Sequence, residues 1–138
     1  MAAVKVLVAD DNAQLQRIVK RVFEQEGFVV IQSFDGANLV AQVLAARPDV
    51  IVLDVGLPNA DGRDVLSSLK REPKTADIPV VVWSGQDADS QRRIALALGA
   101  EDFVEKGTAH ELVSKIERLL LRLRQSDELR RANPSAVA

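Results

Sequence analysis

Short apolar runs alternate along this chain with longer stretches in which apolar residues recur every three or four positions. Val4–Ala9, Phe28–Gln32, Asp49–Leu53, Pro79–Trp83 and Asp102–Glu105 read as strands. The first is apolar with little alternation, the mark of a strand buried on both faces. Between them, Asn12–Glu26 sets Leu15, Ile18, Val19, Val22 and Phe23 on one face of a helical repeat, and Gly27 supplies a stop. Asp35 is placed to cap a second helix carrying Leu39, Val40, Val43 and Leu44, which must end near Arg47 because Pro48 follows. A turn cluster at Pro58–Gly62 leads into a short helix over Asp61–Arg71, and Ala88–Leu98 is a small-residue helix stopped by Gly99. Thr108 and Glu111 form a capping box for the last helix, whose stripe is Leu112, Ile116, Leu119, Leu120 and Leu123. Five strand–helix units need crossovers, so the pattern predicts an α/β fold with a parallel sheet and helices on both faces.

Composition narrows the class. With 138 residues, 47% hydrophobic and 28% charged, the chain suits one globular domain with a real core. The division expected is a domain over residues 1–124, then a helical extension and flexible tail over 125–138. The 18 Lys and Arg against 20 Asp and Glu leave a net charge of -2, so no basic excess points to nucleic acid or an anionic membrane. There is no cysteine, hence no disulfide framework and no thiolate site. No apolar stretch has the length of a membrane span, and no signal-peptide core precedes the first strand. A cytoplasmic protein is the expectation.

The candidate chemistry lies at the strand ends. In open α/β sheets, ligands bind beyond the carboxyl ends of the strands. Read in turn, those ends carry Asp10-Asp11, Asp54, Ser84-Gly85 and Lys106. A carboxylate ending a buried strand is costly without a partner. Three together repel one another, and a hard cation with oxygen ligands relieves that. Mg²⁺ suits such a set, because it takes one or two protein carboxylates and leaves room for phosphate oxygens. Asp54 can then act as an oxygen nucleophile on phosphorus, while Lys106 balances charge on the phosphoryl oxygens. Ser84 offers a short hydroxyl donor, and Gly85 leaves room for the group to approach. Alone, Asp10-Asp11 reads equally well as a helix cap, and Asp61 reads better as a cap than as a ligand. Trp83 reads as packing. His110 and the arginines from Arg118 to Arg131 read as solvated.

The Asp10-Asp11 pair, the Asp54-x-x-x-Pro58-x-x-Asp61-Gly62 segment, Ser84-Gly85 and Lys106 occur in the order and approximate spacing found in receiver domains of two-component response regulators. The chain resembles that family over residues 4 to 124. The resemblance implies a doubly wound, flavodoxin-like (βα)5 fold with strand order 2-1-3-4-5. It implies phosphorylation of Asp54 by a phosphohistidine on a sensor histidine kinase or phosphotransfer protein. It implies Mg²⁺ held by Asp11 and Asp54, by Asp10 through water, and by the backbone carbonyl of Gly56. It also implies a switch in which Ser84 moves toward the phosphoryl group and Phe103 turns inward, altering a face made by the fourth helix, fifth strand and fifth helix. The implied partners are the phosphodonor and a downstream protein or output domain, with no direct nucleic acid or membrane contact, and a monomer or weak phosphorylation-dependent dimer. Such a protein is a signalling phosphoacceptor rather than an enzyme.

The chain departs from the family pattern at Gly107, where proline is usual, and at Phe103, which lacks the hydroxyl of the common tyrosine. Gly56 and Gln86 occupy the two positions that tune phosphoryl lifetime in the family. Two rivals remain. One is a pseudo-receiver that docks partners without phosphorylation. The other is an aspartate-nucleophile phosphatase of the haloacid dehalogenase type, which needs a second acid where Gly56 stands.

Overall fold

A computed structural model describes residues 3–85 and 88–133. The elements are β1 (Lys5–Ala9), α1 (Ala13–Gln25), β2 (Val29–Ser33), α2 (Leu39–Ala46) and β3 (Val50–Leu53), followed by α3 (Gly62–Arg71), β4 (Val80–Ser84), α4 (Ala88–Ala97), β5 (Asp102–Glu105) and α5 (Ala109–Ala132). The strands form one parallel sheet in the order β2-β1-β3-β4-β5. This is the doubly wound, flavodoxin-like arrangement, with the switch in strand order between β1 and β3.

Period-two alternation divides the core into two layers. Val6, Val8, Val50, Val52, Val81, Trp83 and Val104 point to one side and pack with Val19, Val22 and Phe23 of α1 and Leu112, Ile116 and Leu119 of α5. Leu7, Ala9, Ile51, Leu53, Val80, Val82 and Phe103 point to the other side and pack with residues of α2, α3 and α4. Buried on both faces, β3 has no exposed residue.

Glycines stop two helices by the same means. After α1, Gly27 has φ +88°, its N–H donates to Glu24 O, and Phe28 N–H donates to Phe23 O. That is a Schellman stop, completed by an edge-to-face contact of Phe23 and Phe28 at 5.0 Å. After α4, Gly99 at φ +105° repeats the bonding pattern, with Ala100 N–H donating to Ala95 O.

Two sequence expectations change. Asp35 does not cap α2. Asn38 stands at the cap, while Asp35 accepts from Ala37 N–H and from the side-chain amide of Asn59. The competing acceptor geometry of an Asx turn, tied to a loop 24 residues away, outweighs the local cap. Ile18 is 51% exposed, whereas the polar Gln16 is buried on the inner face of α1. The last helix, α5, runs on to Ala132. Gln86 and the tail residues 134–138 lie outside the described residues.

Candidate functional site

Strand register brings the acids together. β1 and β3 pair with Ala9 opposite Leu53, so the residues that follow, Asp10 and Asp54, leave the sheet side by side. Asp54 N–H donates to Ala9 O at 2.9 Å, which continues the ladder one residue past the strands. Asp10, Asp11 and Asp54 each present a carboxylate oxygen within 4.8 Å of the others. Asp10 is buried, Asp11 exposed and Asp54 intermediate. Hard oxygen donors at this spacing, one open to solvent, fit a divalent cation such as Mg²⁺.

Lys106 closes the site from the end of β5. Its Nζ donates to Asp10 Oδ2 at 2.6 Å and Asp54 Oδ2 at 3.0 Å, and its backbone N–H donates to Ser84 O at 2.9 Å. Burial pushes the Lys106 ammonium down, but the bonds and charges of Asp10 and Asp54 outweigh it and hold the group above its ordinary value. The second oxygens are also used. Asp10 Oδ1 accepts from Asn12 N–H and Asp54 Oδ1 from Gly56 N–H, each at 2.9 Å. Asn12 caps α1 as well, its side chain accepting from Leu15 N–H, so the helix start and the Asp10 carboxylate are fixed by one residue.

The loop after Asp54 is held in a tight shape. A Cβ on Gly62 would lie 2.3 Å from Val55 Cα, so α3 can begin against this loop only with glycine. Asp61 caps α3, accepting from Arg63 N–H at 2.9 Å. Gly36 N–H donates to Pro58 O and Asn59 to Asp35, which clip the loop to the end of β2.

Ser84 and Gly85 also gather here. Ser84 ends β4, 1% exposed. Gly85 follows, and a Cβ there would sit 3.9 Å from the Lys106 side chain. Phe103 is not at the site but behind it. It is already buried, with the Arg92 guanidinium 5.5 Å from its ring and Arg92 paired loosely to Asp102 at 3.9 Å.

Sequence reasoning missed Gln16. Its amide donates to Val8 O, Asp10 O and Ser33 O at 2.9 to 3.1 Å, collecting the carbonyls where β1 and β2 end. The available signal was its spacing, since Gln16 lies three and seven residues before the buried Val19 and Phe23. It also missed the contact of Lys106 with Trp83, whose ring centroid lies 5.4 Å from Nζ.

Known proteins match this geometry. Residues 6–117 match the response regulator receiver domain family. The phosphate regulon transcriptional regulatory protein PhoB of Escherichia coli is 35% identical over 120 residues, covering 86% of this chain and 52% of that protein. Response regulator MprA of Mycobacterium ulcerans is 32% identical over 127 residues, covering 91% and 54%. The chain thus spans about half the length of the curated relatives it matches. A Francisella response regulator receiver domain superposes with a TM-score of 0.79 at 30% identity, covering 87% of this chain and 98% of that one. No described helix is long and apolar enough to cross a membrane. With the family's residues over most of the chain, its fold and its strand order, this chain belongs to the receiver domains of two-component response regulators.

Proposed function

We propose that Asp54 is the phosphoacceptor of this receiver. The observation that carries the reading is the Lys106 bridge to Asp10 and Asp54, with Asp11 alongside. An oxygen of the Asp54 carboxylate attacks phosphorus, and the bond from phosphorus to the donor's imidazole nitrogen breaks, leaving an acyl phosphate. The donor is a phosphohistidine on a sensor histidine kinase or a phosphotransfer protein. Asp11, Asp54 and the Gly56 carbonyl, with Asp10 through water, would hold Mg²⁺, which would supply charge neutralisation on the phosphoryl oxygens. Lys106 exchanges its bond to Asp54 for one to a phosphoryl oxygen. Ser84 donates its hydroxyl to another, and Gly85 leaves the approach open.

Output follows from the same exchange. Ser84 and Lys106 adjoin β5, where Phe103 packs under α4, so a change at either is felt by the α4–β5–α5 face. That face carries the exposed Leu96 and Leu121 and a hollow of about 440 Å³ lined by Asp102, Lys115, Arg118, Leu121 and Arg122. A downstream protein or an output domain reads it. Residues 1–124 form the working unit, and 125–138 are an extension to it.

Labelling with acetyl phosphate and Mg²⁺ tests the reading. Wild type takes one acid-stable, alkali-labile phosphoryl group, and Asp54→Asn takes none. Equal labelling of both proteins rejects Asp54 as the acceptor.

A further inference from the structure

We propose that Trp83 is a positioning residue for Lys106, its buried indole face steering the ammonium between Asp10 and the acceptor oxygen of Asp54. The inference rests on the phosphoacceptor reading above. Trp83 stands near the end of β4, 1% exposed, packed with Val104, Ala109, Leu112 and Val113. Among the described residues, its buried Nε1 has no hydrogen-bond partner. An unpaired buried N–H is unfavourable, and phenylalanine or leucine would fill an apolar space without one. Packing alone therefore does not account for an indole here.

What the indole adds is an electron-rich face. Lys106 Nζ lies 5.4 Å from the ring centroid, within the roughly 6 Å over which a ring attracts a cation, and tryptophan attracts most strongly. The ammonium thus has two carboxylates and one ring as neighbours. The glycines beside the lysine, Gly85 and Gly107, bring no side chain to it, and the Cβ position of Gly107 is taken up by Glu111 Oε2, 2.9 Å away. Ring attraction is also less directional than a hydrogen bond. It persists while Nζ exchanges Asp54 Oδ2 for a phosphoryl oxygen, keeping the lysine in the site during the transfer.

The test is a double-mutant cycle on the rate of Asp54 labelling by acetyl phosphate with Mg²⁺. Trp83→Leu slows labelling about fivefold, the worth of one partly desolvated cation–ring contact, and Trp83→Phe recovers most of the loss. In a Lys106→Met background, Trp83→Leu adds no further loss. An equal loss in both backgrounds makes Trp83 plain core and overturns the proposal, as does wild-type labelling by Trp83→Leu. Trp83 is the single tryptophan, so its emission checks the contact with the core position intact and no phosphodonor present. Lys106→Met shifts that emission, and an unshifted spectrum overturns the proposal. A wild-type protein that labels nowhere rejects the phosphoacceptor reading instead, and the emission comparison then still decides the contact.

Discussion

Both edges of the sheet carry acids and cations, yet among the described residues only one edge brings them together. At the carboxyl edge, Asp10, Asp11 and Asp54 converge within 4.8 Å and a single lysine bridges two of them. At the amino edge, Asp49, Asp77 and Glu101 line an open hollow of about 980 Å³ opposite Arg124, Arg130 and Arg131 of α5. That hollow is larger than the one lined by the loop after Asp54 and Gln91 of α4, which measures about 300 Å³. The amino-edge groups are used for structure: Asp49 accepts from Lys5 N–H at 2.8 Å, and Lys70 Nζ donates to Ala76 O and Ile78 O. The number of acids and the size of the hollow therefore say little about chemistry. Convergence of oxygens around a shared point is what separates a site from a solvated edge.

The sharpest way to break this contrast is to remove one acid from each edge. Asp54→Ala abolishes labelling by acetyl phosphate, whereas Asp77→Ala labels at the wild-type rate, both read by phosphate incorporation. Next in size is cation affinity. Asp11→Ala weakens Mg²⁺ binding by roughly tenfold or more, because ligand charge count sets the affinity of an oxygen site. A Mg²⁺ titration of Trp83 emission measures this, and Glu101→Ala should match wild type.

A smaller effect sharpens the structural side. Lys70→Met lowers stability by about 1 kcal/mol through two lost charge-assisted bonds at a half-buried site, and leaves labelling intact. Urea unfolding reads the first and phosphate incorporation the second. The smallest effect is a pH dependence. Lys106 is held above its ordinary 10.5 in the folded state, so its contribution is fully present below that pH and is lost as pH rises through the raised value. In metal-free buffer, the urea midpoints of wild type and Lys106→Met should differ at pH 8 and converge in strong alkali.

Much of the fold was legible because its strands are short apolar runs and its helices are periodic, two patterns that hardly overlap here. The acids and Lys106 were legible because each ends a strand, and parallel strands of one sheet end together. What stayed hidden involves partners distant in sequence. Gln16 sits on an apolar stripe, where hydrophobic periodicity counts it as an interruption, although its amide gathers carbonyls from two strands. Asp35 carries a strong capping signal, but Asn59 and the loop it belongs to claim the carboxylate. Trp83 was visible as a bulky residue, while its unpaired N–H and its nearness to Lys106 exist only in three dimensions. Ile18 fits the stripe by type yet faces outward, since Gln16 takes the inward angle.

Gly62 changes what the Asp61-Gly62 pair means when it is met in another chain. The glycine is required because the Val55 backbone leaves no space for a Cβ, and Asp61 because α3 needs a cap. Neither requirement involves a phosphoryl group. A descendant that lost Asp54 and stopped signalling would still be under selection to keep both residues, so the pair records ancestry of shape. Only the acids and the lysine record ancestry of chemistry, and a search weighted toward Asp-Gly would gather silent relatives along with active ones.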